Sequence, residues 1–259
     1  MADLQGTHAV EVRGDVVSKR YKEEKPGAAE REWRALTLLA RYAPGLAPRP
    51  ISNEGGVIMS RIDGVPLRGL ADAPALAAAL ARAVAELHAA VPPQVLAEVP
   101  VRNWGPAALA EQVSQWCARW PGRDPLADRA VREGGRWLER WRPREGDLPP
   151  VLGAGDGNLA NFLWDGERVR IVDFEDSGRS DRAYELSELS QHVSMWVDGE
   201  IDVLSHVELT AAERARLREC TRLHALTWLF LLSGEGPRNP PGTFGRQVER
   251  VLAVLEAPA

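Results

Sequence analysis

Residues 151–176 read VLGAGDGNLANFLWDGERVRIVDFED, and three side chains in that stretch, Asp156, Asn161 and Asp173, could together do chemistry. The glycines Gly153, Gly155 and Gly157 follow the apolar pair Val151-Leu152 and invite comparison with a dinucleotide-binding turn. Such a turn has to open a helix whose N-terminus faces a pyrophosphate. Here Asp156 would stand against the phosphates, and the hairpin dipeptide Asp165-Gly166 would cut the helix within ten residues. A loop followed by a β-hairpin fits better, with strands at 162–164 and 169–172 around a turn at 165–168. Asn161 then precedes the first strand and Asp173 follows the second. Antiparallel pairing brings both to the open end of the hairpin, about 5–6 Å apart at the backbone, with Asp156 just upstream. One amide and two carboxylates beside a glycine-bearing loop are the oxygen donors that magnesium-assisted phosphoryl transfer requires.

That chemistry also needs a cation for the nucleotide phosphates. Only three of the 32 basic residues are lysines, Lys19, Lys22 and Lys25, and arginine fills every other basic position. In the strand-like VVSKRY, at 16–21, the period-two alternation sets Val17, Lys19 and Tyr21 on one face, so Lys19 can point into a cleft and Lys22 points away. Lys22 and Lys25 read as a solvated turn. An ion-pair partner for Lys19 is expected on the following helix, where Glu30 and Glu32 compete. Glu32 shares a face with Leu36, Leu39 and Ala43, whereas Glu30 shares one with Arg34, Thr37 and Arg41, which makes Glu32 the inward residue.

Gly155-Asp156-x4-Asn161 followed by Val172-Asp173-Phe174-Glu175 resembles the catalytic and metal-binding segments of the aminoglycoside phosphotransferase and choline kinase-like family. The D-x-x-x-x-N spacing is that of kinase catalytic loops. The resemblance implies an α+β, bilobal protein-kinase-like fold, with a small β-rich N-terminal lobe carrying one main helix (1–59), a hinge (60–64) and a larger, mostly helical C-terminal lobe (65–259). It implies Asp156 as the catalytic base for a substrate hydroxyl, and Asn161 and Asp173 as ligands of Mg2+ against the phosphates of ATP or GTP. Lys19 would hold the α- and β-phosphates and Glu32 would orient Lys19. Backbone groups of Ser60 to Ile62 would bind adenine below Met59, and Gly6-Thr7-His8 falls where the family's phosphate-covering loop lies. Ala154 departs from the family, which usually has histidine two residues before the catalytic aspartate. His88 ends an alanine-rich helical stretch and receives no role.

The elements that must position these groups read coarsely from the same sequence. HAVEV (8–12) and VVSKRY form a hairpin about an Arg-Gly-Asp turn, a helix spans roughly 28–43, and APRPI and GGVIM (55–59) are further strands. Beyond residue 64 helices dominate. The tryptophan pairs 116/120 and 137/141 lie four apart, as core-facing stripes do, and TRLHALTWLFLL (221–232) reads as a buried helix. No apolar run reaches the about 18 residues of a membrane span, and the −5 net charge and pI near 5.7 lack the basic footprint of a nucleic-acid binder. The chain is placed in the cytoplasm, with Cys117 and Cys220 expected reduced and buried. Between Asp173 and Glu208 ten acidic residues face two basic ones, which points to a cationic, amino-bearing small-molecule acceptor drawn in by the field. No A-P-E segment follows Asp173, so a protein acceptor is disfavoured. Two other readings keep parts of this pattern: a nucleotide-binding pseudokinase, motivated by Ala154 and the short first strand, and a non-catalytic interaction module.

Overall fold

The computed structural model describes residues 8–22, 25–70, 72–143, 148–234 and 240–257. Gly6 and Thr7 of the expected phosphate loop lie outside these. The N-terminal lobe is an antiparallel sheet with one helix on it. β1 (Ala9–Arg13) turns at Gly14 into β2 (Val16–Arg20), α1 (Ala28–Tyr42) follows, and β3 (Pro50–Ser52) and β4 (Val57–Ser60) complete the sheet in the order β1-β2-β4-β3. The pattern of α1 explains its seat, because Glu32, Ala35, Leu36 and Leu39 recur on one face and are all buried.

The remaining chain is mostly helical, with small strands that carry the loops. β5 (Val65–Pro66) is followed by α2 (Ala77–Ala90), α3 (Pro93–Leu96), α4 (Pro106–Ala118) and α5 (Pro125–Arg140). Next come β6 (Pro150–Gly153), the hairpin of β7 (Phe162–Trp164) and β8 (Val169–Ile171), and β9 (Gly178–Asp181). α6 (Arg182–Gln191), α7 (Ala211–Ser233) and α8 (Thr243–Glu256) end the fold. β5-β7-β8 form one small antiparallel sheet and β6-β9 another.

One core runs through both lobes: Leu36, Leu39, Val57 and Met59 of the small lobe join Leu80, Leu87, Phe162, Ile171 and Phe174 of the large one. A second core joins α4, α5, α7 and α8 through Val113, Trp137, Leu226 and Val251. At Gly134 of α5 an added Cβ would stand 2.3 Å from a Leu226 methyl carbon, so any larger residue there would force Leu226 of α7 to give way. The tryptophans do pack: Trp116 and Trp120 lie 5.6 and 5.8 Å from the Phe230 ring, and Trp137 stacks on Trp141 at 4.9 Å. Two expectations need correction. Cys117 is half-buried and only Cys220 is buried, because Cys117 lies on the flank of α4 facing a groove. Lys25 is not solvated, since its Nζ reaches Glu175 at 2.5 Å and Asp176 at 3.4 Å across the interlobe cleft. Among the described residues no helix is long and apolar enough to cross a membrane.

Candidate active site

The three glycines of the 151–176 stretch are there for close approach. At Gly155, φ is +88°, and an added Cβ would sit 2.2 Å from the Asp176 carbonyl oxygen. At Gly153 it would meet the Glu185 carboxylate at 2.3 Å, and at Gly157 the Leu189 Cα at 2.7 Å. The loop therefore lies pressed between α6 and the 173–177 turn, and it opens no phosphate-binding helix.

Within that loop Asp156 is held by its own neighbours. Its Oδ1 accepts the Asn158 N–H at 2.9 Å, and its Oδ2 accepts the Asn161 Nδ2–H at 3.0 Å. The bond from Asn161 Nδ2 turns that side chain's oxygen away from Asp156, where it is free to ligate a cation. The hairpin register continues past β7 and β8 through Val172 N–H to Asn161 C=O at 2.9 Å, which sets Asp173 beside Asn161 as the spacing requires. Asp156 lies deep in the cleft with 40% of its side chain open, and burial, with the Asp173 charge adding to it, lifts its pKa above the ordinary carboxylate value.

Asp173 has φ 67°, the sole non-glycine positive φ among the described residues. That conformation costs on the order of 1–2 kcal/mol and persists because its neighbours pin the segment. Phe174 is fully buried, its N–H donates to Glu32 Oε1 at 3.4 Å, and Arg31 Nε donates to the Glu175 carbonyl at 2.6 Å. α1 is thereby clamped onto the segment that carries Asp173.

Lys19 closes the arrangement from β2. Its Nζ lies 2.8 Å from Glu32 Oε2, 2.6 Å from Asp173 Oδ1 and 2.8 Å from Glu175 Oε2. Burial alone would lower the Lys19 pKa, but Glu32 and Asp173 outweigh it and hold the ammonium charged. Burial raises the Glu32 carboxyl despite Lys19, and Tyr21, on the same strand face as Lys19, donates its hydroxyl to Glu32. Glu30 is exposed. Glu32, Asp173 and Glu175 bring one oxygen each within 4.8 Å of one another, and the Lys19 ammonium sits among them, so the group is a buried ion-pair cluster in which Asp173 is the most open of the three.

At the nucleobase end two of the three hinge amides are already bonded. The Ser60 N–H is committed to Arg49 C=O at 2.9 Å and the Arg61 N–H to Asp15 C=O at 2.8 Å. The backbone groups of Ile62 have no hydrogen-bond partner among the described residues and remain open to a base. Met59, expected above the adenine, is 5% exposed and packs in the core. His8 lies 2.6 Å from Glu175, so the one described residue of the expected phosphate loop reaches the same cluster.

Three neighbours of the candidate site escaped the sequence reading. Glu175 pairs with Lys19 and Lys25, which draw its carboxyl below the usual range although burial opposes them. Arg102, 3% exposed, donates from Nη1 to Glu185 and Glu188 at 2.6 Å each and from Nη2 to the Gly155 carbonyl at 3.1 Å. One guanidinium faces two carboxylates, Glu185 buried and Glu188 half-buried. Arg102 overrides burial to hold Glu185 low, while burial pushes Glu188 up to about 7. His192 Nε2 lies 3.7 Å from Asp156 Oδ1. No spacing rule links Arg102 or His192 to the loop that carries Asp156. Glu175 could have been suspected from its place two residues after Asp173. His88, given no role, lines a cavity of about 20 Å3 with Ala154, Asp156 and Glu185, and burial pushes its pKa down to about 4.

Residues 6–220 match the model of the APH phosphotransferase enzyme family. Among solved structures, a choline/ethanolamine kinase family protein from Mesorhizobium loti is similar at 22% identity over 97% of this chain and 86% of its own, with a TM-score of 0.64. An aminoglycoside 2'-phosphotransferase-IIIa in its GDP complex is 20% identical over 96% and 89% of the two chains, with a TM-score of 0.59. The choline kinase LicA from Streptococcus pneumoniae is 15% identical over 98% and 91%, with a TM-score of 0.61. No curated protein sequence matches the chain.

Proposed function

The chain belongs to the phosphotransferase enzyme family, and from that premise we propose that it transfers the γ-phosphate of ATP or GTP to a hydroxyl of a small molecule in a magnesium-dependent reaction. The observation that carries this reading is the convergence of Lys19, Glu32 and Asp173 within 2.8 Å contacts, opposite the Asp156–Asn161 pair. In this reading Lys19 holds the nucleotide phosphates and Glu32 keeps its ammonium in place. Asn161 and Asp173 would hold magnesium, which when bound would neutralise charge on the phosphates. Asp156 orients the acceptor hydroxyl. The hydroxyl oxygen bonds to the γ-phosphorus as the bond to the β-bridging oxygen breaks, the nucleoside diphosphate leaves, and the hydroxyl proton passes to Asp156. The open backbone of Ile62 is the natural contact for the base.

For the acceptor, a cationic, amino-bearing molecule is favoured. Choline and aminoglycosides, named for two of the similar proteins, both carry amines or ammonium groups. The acidic segment contributes less field than its count suggests. Glu175 and Asp176 face lysine, Glu185 and Glu188 face Arg102, and Asp181 caps α6 and bonds Arg216. Asp198, Asp202 and Glu208 remain exposed to draw a cation in.

A nucleotide-consumption screen with ATP and with GTP, across aminoglycosides, amino alcohols, neutral sugars and nucleosides at low salt, tests both parts. Turnover is expected with an amine-bearing acceptor, to vanish with EDTA, and to fall at least about a hundredfold in Asp156→Ala. Wild-type turnover in Asp156→Ala refutes the base assignment. A preference for neutral or anionic acceptors refutes the charge reading and leaves the kinase reading standing. Magnesium-nucleotide binding without turnover on any acceptor would favour the pseudokinase.

A further inference from the structure

Asp156 is bonded within its own loop and faced by a side chain from a second element. Asn158 and Asn161, which bond its two oxygens, belong to the same loop and move with it. The facing side chain comes from the turn after α6, where His192 ends the helix and its ring caps the next turn. His192 Nδ1 accepts the Ser194 N–H at 3.1 Å and lies 2.7 Å from Ser194 Oγ, and that Oγ in turn accepts the Leu159 N–H of the catalytic loop at 2.9 Å. A backbone amide can only donate. Nδ1 therefore presents its lone pair, and the one proton of the neutral ring sits on Nε2. Nε2 faces Asp156 Oδ1 at 3.7 Å. The ring is 6% exposed and stands edge-on to Trp228, with centroids 4.5 Å apart, so it has little freedom to turn away. Burial, aided by the Arg68 charge, pushes its pKa down to about 3, which keeps the ring neutral.

We propose that His192 is a positioning residue for Asp156, presenting a neutral Nε2–H to the carboxylate and tying it, with Ser194, to the end of α6. This inference rests on Asp156 being the base. A neutral donor suits such a base, because it selects a carboxylate orientation without adding the positive charge that would weaken its basicity. The 3.7 Å separation exceeds a hydrogen bond, and contacts in unliganded catalytic sites commonly tighten only when substrate is bound.

Three variants in the full chain test it, assayed with the acceptor found in the screen. His192→Leu removes both ring nitrogens, His192→Gln places an amide N–H near the position of Nε2, and Asp156→Ala is the reference. The expected result is a kcat lowered about 10- to 100-fold in His192→Leu at nearly unchanged nucleotide KM, with most of the loss recovered in His192→Gln. Wild-type kcat in His192→Leu beside a crippled Asp156→Ala overturns the role of His192 alone, as does a His192→Gln no better than His192→Leu. Wild-type kcat in Asp156→Ala overturns the base assignment beneath it. A readout independent of activity and of variant folding is the 15N spectrum of the imidazoles in the wild-type protein. A proton on Nε2 with Nδ1 unprotonated is expected, and a proton on Nδ1 overturns the proposal.

Discussion

Replacing Arg102 with methionine should be among the most damaging single changes in this protein, although the residue lies outside the catalytic loop. The guanidinium is 3% exposed and bonds Glu185, Glu188 and the Gly155 carbonyl, while Glu185 Oε2 accepts the Gly155 N–H at 3.4 Å. Arg102→Met strands the buried Glu185 carboxylate beside the half-buried Glu188 and leaves Gly155 C=O without its donor. Removing one partner of a buried ion pair costs about 3–5 kcal/mol. For a chain of this size that corresponds to a fall in Tm of roughly 6–20 °C. Denaturant unfolding and calorimetry read the stability, and kcat should fall at least about tenfold because the Gly155 carbonyl, next to Asp156, loses its donor and Glu185, which holds the Gly155 N–H, loses its ion-pair partner. Glu188→Gln added to Arg102→Met should return about 1 kcal/mol or more by deleting the surplus charge. Glu188→Gln alone should cost less than about 1 kcal/mol, since burial already pushes Glu188 up to about 7. A loss below about 1 kcal/mol in Arg102→Met, or no recovery in the double variant, would refute the reasoning that this pair network braces the loop.

Other expectations follow from the same geometry. Gly155→Ala forces a Cβ 2.2 Å from the Asp176 carbonyl at φ +88°, and should lower kcat at least about tenfold by shifting Asp156 while nucleotide binding, read by calorimetry, changes little. Glu32→Gln weakens the hold on Lys19, and the loss of a charged hydrogen bond, about 1.5–3 kcal/mol, should raise the nucleotide Kd about tenfold or more. An unchanged Kd would sink the role of Glu32. The pKa of buried His88 is depressed to about 4, so its contribution to stability is complete above the unfolded value near 6.5 and is lost as pH falls toward 4. Between pH 7.5 and 5.5 this amounts to about 1.4 kcal/mol, and His88→Asn should flatten the pH dependence of unfolding by that amount.

The convergence of the candidate site residues was legible because they are local. Asp156 and Asn161 are five residues apart in one loop, and the Asp165-Gly166 turn alone sets Asp173 beside Asn161. Lys19 and Glu32 followed from the periods of a strand and a helix, since burying one face of each element forces the polar residue on that face into the cleft. The reason for the Gly153, Gly155 and Gly157 pattern was out of reach, because it lies in the backbone of Asp176 and in α6, which the fold presses against the loop. The acidic run also misled as a measure of field. Its charges are cancelled by partners such as Arg102, 83 positions from Glu185, and Lys25, 150 from Glu175. Arg102 and His192 carry no sequence signal for the same reason. Periodicity and spacing specify which way a side chain points within its own element, whereas the partner it meets is set by how elements far apart in the chain pack, and that information exists only in the folded structure.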